Sequence, residues 1–450
     1  MTAQAVRRPV RRLSLAAAAL WFALSYGGAI LGYLAVNAFA ARLLVDDFGY
    51  FVIAISVSTV VGQLGLFGAH RGGLREAARL QPGDDDRLRE LRRAVRVVSA
   101  VTLPLTAAVT TAVTLAVMTG VDAGTRWSVA AGMGVLVWFG GQQKLWANYL
   151  RGFGRVRFAS LLEGRSGGAF VALCQGLSVG AVLLIAAGSG LPGALAAMAV
   201  GFAIPVLLAW CVVARHWRHL RVGFVSIADV RAVVTKNRHF ASNMLGGSLN
   251  SYLETWIAGL VLTGASVSLF SAAHRLSLLL TISIVSLGVV FSPVVSRLSD
   301  QGDGGLEPLL RTGATLATAV TAVLFLPMLV VPGPLLGAVY GDSFAAAAPM
   351  LVVLTLGAVS SVLTGMCAVA LTMSQHEAVV AKVQWAAVVV RAGLGAILAL
   401  QFGALGLAVS AAIVTSGLSV TFLLLTRRRL GIWTQPTLRP DLGLMRRTAG

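Results

Sequence analysis

Apolar stretches of about 20 residues, each long enough to cross roughly 30 Å of hydrocarbon, recur from one end of the chain to the other. They predict about twelve transmembrane helices, at residues 14–41, 48–68, 95–119, 127–150, 166–187, 191–214, 241–263, 269–296, 311–331, 346–370, 378–400 and 404–426. Turn-forming residues separate them: Asp46-Asp47, Gly188-Ser189-Gly190 with Pro192, Gly264, and Pro332-Gly333-Pro334. The basic head and apolar run at the N-terminus look like a signal peptide. The run continues to about Leu44, however, so it reads as a retained first span. Gly28/Gly32 and Gly176/Gly180 are small-xxx-small pairs suited to close helix approach. Pro104, Pro205 and Pro293 predict kinks, either hinges for alternating access or ordinary irregularity of membrane helices.

Composition agrees with lipid as the solvent. The 450 residues are 57% hydrophobic and only 12% charged, with a mean hydropathy of +0.83. No water-soluble domain of this size could bury so much apolar surface. The net charge of +19 raises the question of nucleic acid, but the cations sit in short runs between spans, with no single soluble face. No nucleic-acid partner is expected; membrane lipids are. Of the 36 Lys and Arg, the segments predicted inside hold all but Arg42, Arg126 and three within spans. That asymmetry places both termini in the cytoplasm of a multi-pass protein of the bacterial inner membrane. Cys174, Cys211 and Cys367 lie far apart in apolar stretches and read as packing residues, with no disulfide framework or metal spacing.

The predicted organisation is an N-terminal lobe of six spans (1–214), a cytoplasmic linker (215–240), a C-terminal lobe of six spans (241–430) and a cytoplasmic tail (431–450). Within the inside segment 69–94, the amphipathic run DDDRLRELRRAVRV predicts a helix lying on the inner leaflet. A faint internal repeat aligns DFGYFVIAISVSTVV from Asp47 with SVSLFSAAHRLSLLL from Ser266. Six spans per half would make such a repeat parallel, with its axis along the membrane normal.

The candidate chemistry lies in ionisable groups inside spans, each costing about 2.5–3.5 kcal/mol if it faced lipid. These are Lys144, Glu254, Arg275 and Arg391, with His274 beside one of them. Helical rise puts Glu254 and Arg275 at similar depth in adjacent spans. They form either a structural salt bridge or a switch, in which Glu254 takes a proton or cation and releases Arg275 to an anion. Arg391 has no carboxylate in its own span, which points to an anionic ligand or an interhelical carbonyl cap. Lys144 either snorkels or, with Gln142, Gln143 and Asn148, lines water. Asn37, Gln63 and Asn250 are milder polar intrusions. Three cations and one anion suit a negatively charged cargo such as a diphosphate. No nucleotide loop, zinc-type spacing or nucleophile elbow occurs, so neither enzymatic activity, cofactor nor metal is expected beyond a coupling proton or sodium ion.

Several segments in order carry a family resemblance: ARLLVDDFGYFVIAISVSTVVGQLGLFGAHRGGLREAAR, RGFGRVRFASLLEG, SVSLFSAAHRLSLL, FSPVVSRLSDQGD, LLGAVYGDSFAAAAPMLVVL and FGALGLAVSAAIVTSGL. The chain resembles the oligosaccharide (O-antigen-type, Wzx-type) flippases of the multidrug/oligosaccharidyl-lipid/polysaccharide (MOP) exporter superfamily. The resemblance implies an all-α, MATE-like membrane fold of two six-helix lobes around a cationic cavity. A lipid-linked, undecaprenyl-diphosphate-type oligosaccharide would cross from inner to outer leaflet by alternating access, for cell-surface polysaccharide. By position, Arg275 matches a common cation of span 8 and Glu254 an acidic residue of span 7. Substrate-binding residues would then be Arg275, Arg391, Lys144, His274 and Asn37, with Glu254 for coupling or gating. A polysaccharide polymerase or glycosyltransferases are the expected partners. Span 1 lacks the acidic residue of many multidrug antiporters, and the two further spans usual in peptidoglycan-precursor flippases are missing. Two alternatives stay open: a multidrug/cation antiporter of the same fold, and a non-transporting membrane partner of glycan-assembly enzymes.

Overall fold

The computed structural model describes residues 15–441, apart from 79, 81–83, 163–167, 218–219, 221–222, 224, 282, 285–286, 289–290, 292–294, 296–297 and 299–304. Among the described residues the chain is helical and has no strand. Helices α1 (Leu15–Leu44), α2 (Phe48–Gly65) and α3 (Ala69–Ala78) come first. Next are α4 (Asp85–Val97), α5 (Leu103–Val117), α6 (Ala123–Gly152), α7 (Val156–Leu162), α8 (Ala169–Ile185) and α9 (Gly190–Ala214). The second half holds α10 (Ile227–Val261), α11 (Gly264–Ser277), α12 (Leu306–Val330), α13 (Pro332–Tyr340), α14 (Ala348–Thr364), α15 (Cys367–Met373) and α16 (Glu377–Leu430). Among the described residues, six helical stretches are long and apolar enough to span a membrane by length and composition, and Ala169–Ile185 is a shorter apolar helix.

Local chemistry sets the boundaries. Asp122 caps α6 by accepting the Thr125 N–H at 2.8 Å, and Ser226 and Asp229 form a reciprocal capping box at the start of α10. Those hydrogen bonds hold both carboxyls below the usual range. The continuous α16 reverses at Gly403, whose φ of +62° suits glycine. Gly395 accordingly packs on Leu407, and Arg391 Nη2 reaches Thr415 Oγ1 at 3.4 Å. The two limbs are the predicted spans 11 and 12.

The amphipathic run at 85–97 is helical, as expected, and does not stand apart from the next helix. It continues through a wide π turn (Val98–Thr102) into α5. Pro104 explains the wide turn, since its missing N–H and bulky ring spoil regular helix just before it. Two of the run's cations meet the chain: Arg92 donates to Trp217 O at 2.7 Å, and Arg93 lies 3.5 Å from Asp229. In the same way, residues 227–240 of the predicted linker extend α10. Pro205 sits inside α9 as predicted; Pro293 falls outside the described residues.

Packing groups the helices. In the first half α1 packs on α8, α8 on α9, α9 on α6, and α6 on α2 and α5. In the second half α10 and α14 both pack on α16, and α12 on α14. Gly32 makes the first contact possible, since a Cβ there would lie 2.7 Å from Ala172 Cβ. The halves meet through α2 against α10 and α11, and through α3 against α10.

The end of the bundle carrying 45–49, 263–268 and 332–347 is poor in charge; the end carrying 69–96, 151–157 and 215–240 is rich in it. At the charge-poor end the Gly49 N–H donates to Ser268 Oγ at 2.8 Å, and Ser268 Oγ donates to Asp46 O at 2.6 Å. Gly49 and Ser268 are equivalent positions of the internal repeat. A contact between them is what an axis passing through that point requires. Phe48 packs beside Tyr340 and Phe344, each 5.8 Å away between ring centres. At the charge-rich end the contact is ionic, with Lys236 3.8 Å from Glu76.

Candidate functional site

Arg275 lies near the end of α11, 5% exposed. Its Nη1 donates to the Tyr33 hydroxyl of α1, and its guanidinium carbon stands 5.4 Å from the Tyr33 ring centre and 6.0 Å from that of Tyr252. Facing rings are favourable neighbours for a planar, weakly hydrated cation. No carboxylate of the described residues lies within 4 Å of it, and its Nε has no hydrogen-bond partner.

The predicted Glu254–Arg275 pair is therefore not formed. Glu254 Oε1 instead pairs with Arg391 Nη1, with the two side chains 1% and 6% exposed. The reason is azimuth. Depth placed Glu254 level with Arg275, but α10 runs parallel to the first limb of α16 and turns Glu254 towards it. Asn250 Nδ2 donates to Gln384 O at 2.9 Å one turn earlier, and a Cβ on Gly395 would meet Ile257 at 3.0 Å one turn later. Arg391 thus has a carboxylate from another span, where the sequence suggested an anionic ligand or a carbonyl cap.

The remaining candidates divide: Asn37 lines the same cavity as Arg275, while His274 and Lys144 do not. Asn37 is buried, and its Nδ2 donates to Tyr33 O at 2.7 Å. The His274 ring stacks on Phe270, 5.5 Å between centres. Lys144 is half-buried on α6, away from Arg275. Its polar neighbours are buried in this conformation, Gln142 and Gln143 bonding to other segments and Asn148 within α6. Ser99 donates to Gln142 Oε1 at 3.2 Å, Gln143 Nε2 donates to Leu162 O, and Asn148 Nδ2 donates to Lys144 O at 2.9 Å. Gln63 accepts from Ser248 Oγ at 2.9 Å, linking the halves.

Arg275 borders a cavity that neither Lys144 nor Arg391 lines. The cavity, of about 30 Å³, lies in the first half, bounded by α1, α2, α8 and α9, and Arg275 closes it from the second half. Tyr33, Asn37, Gln175 and Arg275 are its polar lining. Sequence reasoning found Asn37 and Arg275 but missed Tyr33, Tyr252 and Gln175. The available signal was Tyr33 one helical turn before Asn37, hence on the same face.

No protein-family model and no curated protein matches the sequence. Solved structures do match the fold. The lipid II flippase MurJ in an inward closed conformation superposes with a TM-score of 0.68 at 13% identity, over 91% of this chain and 87% of that one. An inward-facing multidrug resistance MATE family transporter of the MOP superfamily gives 0.61 at 15% identity, over 92% and 98%. A MOP superfamily transporter from Pyrococcus furiosus gives 0.59 at 14%, over 93% and 97%. At such identities the likeness concerns the fold. This chain has an all-helical fold that it shares with a lipid II flippase and with MATE transporters.

Proposed function

We propose that the protein is a flippase that carries a lipid-linked, diphosphate-bearing oligosaccharide from the inner to the outer leaflet of a bacterial inner membrane, by alternating access, for surface polysaccharide. One observation carries the reading. Arg275 is a buried cation without a carboxylate partner among the described residues, held where the two halves meet and bordering a cavity. A site built around a lone guanidinium favours an anionic cargo, and the fork geometry of Arg suits phosphate oxygens. Rocking of one half against the other would expose Arg275 to each leaflet in turn. In this reading Glu254 and Arg391 act as a coupled pair inside the second half, which a proton or sodium ion could open. Lys144 and His274 would serve the cargo only in a conformation that opens the halves, whereas Asn37 lines the cavity beside Arg275.

The experiment is deletion of the gene followed by probing of lipid-linked glycan in intact and permeabilised cells. The expected result is glycan retained on the inner leaflet and absent outside. Normal surface glycan with lost efflux of cationic dyes would replace this reading with a multidrug antiporter. That second reading is favoured by the buried Glu254 carboxylate, a group able to exchange a proton for a cation.

A further inference from the structure

Residues 431–441 belong to the predicted tail, yet they lie against the second half instead of trailing from it. Gly431, with φ +73°, ends α16 and turns the chain back. Its N–H donates to Arg427 O at 3.1 Å, and the Arg427 guanidinium carbon stands 5.2 Å from the centre of the Trp433 ring. The two side chains after Gly431 enter different apolar clusters. Ile432 packs against the one that holds Leu306 and Leu309 of α12, and Trp433 against the one that holds Leu371 of α15 and Phe422 of α16.

Between those clusters span 10 is interrupted. α14 ends at Thr364, Gly365 takes a φ of +80°, and α15 begins at Cys367. Such a break leaves the last carbonyls of a helix short of N–H partners and gives the backbone a place to bend. Thr434 fills it. The residue is fully buried, its Oγ1 donates to Thr364 O at 2.7 Å, and Cys367 Sγ lies 2.9 Å from the same hydroxyl. A Cβ on Gly365 would collide with Thr434 O, so the segment fits only because position 365 is glycine. Farther on, the Thr437 N–H donates to Thr315 Oγ1 at 2.9 Å and the Asp441 N–H to Thr312 Oγ1 at 3.0 Å. Two backbone amides outside any helix are thus satisfied by side chains of α12.

We infer that residues 431–441 are a built-in clamp that locks the break in span 10. The clamp ties α12, α14, α15 and the end of α16 into one body, so the interruption at Gly365 holds a fixed bend and is not a moving hinge. Relative motion is then left to the seam between the halves, where α2 meets α10 and α11. This role is the same whatever cargo crosses.

The test is amide hydrogen exchange of the full chain in detergent, resolved by residue. In the wild type the Thr437 and Asp441 amides are expected to exchange far more slowly than in a free peptide, although neither lies in a helix. Exchange of these two at free-peptide rates overturns the clamp without any variant. Thr434→Val keeps the outline of the side chain and removes its hydroxyl. It should speed exchange in 365–373 and 431–441 by about tenfold or more, because a buried carbonyl loses its donor, while 45–49 and 263–268 exchange as before. Thr434→Ser, which keeps the hydroxyl, should exchange like the wild type. Thr315→Val, at the far end of the clamp, should speed the Thr437 amide by a similar factor, and it carries the comparison if Thr434→Val does not fold. Unchanged exchange in 365–373 on loss of the Thr434 hydroxyl, or of the Thr437 amide on loss of the Thr315 hydroxyl, would make the segment a passenger. A rise spread evenly over all the helices would make it an ordinary stabilising contact. Either result overturns the clamp.

Discussion

Arg275 and Arg391 are both buried arginines of the second half, nearly equal in exposure, yet the protein handles their charges in opposite ways. Arg391 is neutralised inside its own half by Glu254. Arg275 is handed across to the first half, where it meets the Tyr33 hydroxyl and ring and borders a cavity. Neutralisation within one rigid group survives any relative motion of the halves. A cation whose hydrogen bond to Tyr33 runs across the seam keeps that bond only while the seam is closed. The first arrangement is independent of the seam, and the second changes partners with it.

The largest expected effect is therefore on folding, at Arg391. Arg391→Ala leaves Glu254 buried without its counter-charge, which costs about 3–5 kcal/mol. Melting in detergent should show a large loss of monodisperse protein. Replacing both residues at once, as Glu254→Leu with Arg391→Met, should restore stability to near or above that of the wild type, because well-packed apolar side chains escape the desolvation penalty. A single variant that melts like the wild type would break the comparison at its first term.

Arg275→Ala comes next, and its effect should move from stability to transport. The variant loses ring contacts of about 0.5–2 kcal/mol each, but it also sheds the burden of a buried charge, so the melting temperature should change little. Flipping of lipid-linked glycan in reconstituted vesicles should fall at least about tenfold, the equivalent of about 1.4 kcal/mol of lost cargo interaction. Equal losses of stability and flipping would make Arg275 another structural cation and erase the contrast.

How much of this was legible beforehand follows from the same two residues. The spans, the break between residues 400 and 404 and the presence of buried charge were readable, because hydropathy reports on local physics. The depth of Glu254 was readable too, from helical rise. Its partner was not. Which span a side chain faces depends on helix rotation and on non-sequential neighbours, and here the parallel span 11 won over the adjacent span 8. Likewise the cation-rich run at 85–97 announces an amphipathic helix, but not that Arg92 and Arg93 would turn to Trp217 O and Asp229. The polar cluster around Lys144 misled for a related reason. Gln and Asn in a membrane span either line water or join helices, and composition does not distinguish the two.

A third buried site disposes of its charge in yet another way, and gives the smallest effect. His70, at the start of α3 beyond the end of α2, is 2% exposed, and its Nδ1 has no hydrogen-bond partner. Burial first, then the nearby Arg71 and Lys144 charges, push its pKa down from 6.5 to about 3. It neither pairs its charge like Arg391 nor shares it like Arg275; it stays neutral. The sign of the linkage follows. Below the unfolded value of about 6.5 the unfolded chain binds a proton that the folded chain refuses, so stability falls as pH drops and keeps falling towards about 3. Between neutral pH and pH 5 this amounts to about 2 kcal/mol. His70→Gln, which cannot titrate, should flatten the dependence of melting temperature on pH over that interval without altering flipping at neutral pH. An unchanged acid slope in His70→Gln would mean that the imidazole is solvated and charged in the folded protein, and only the two arginines would then remain to be compared.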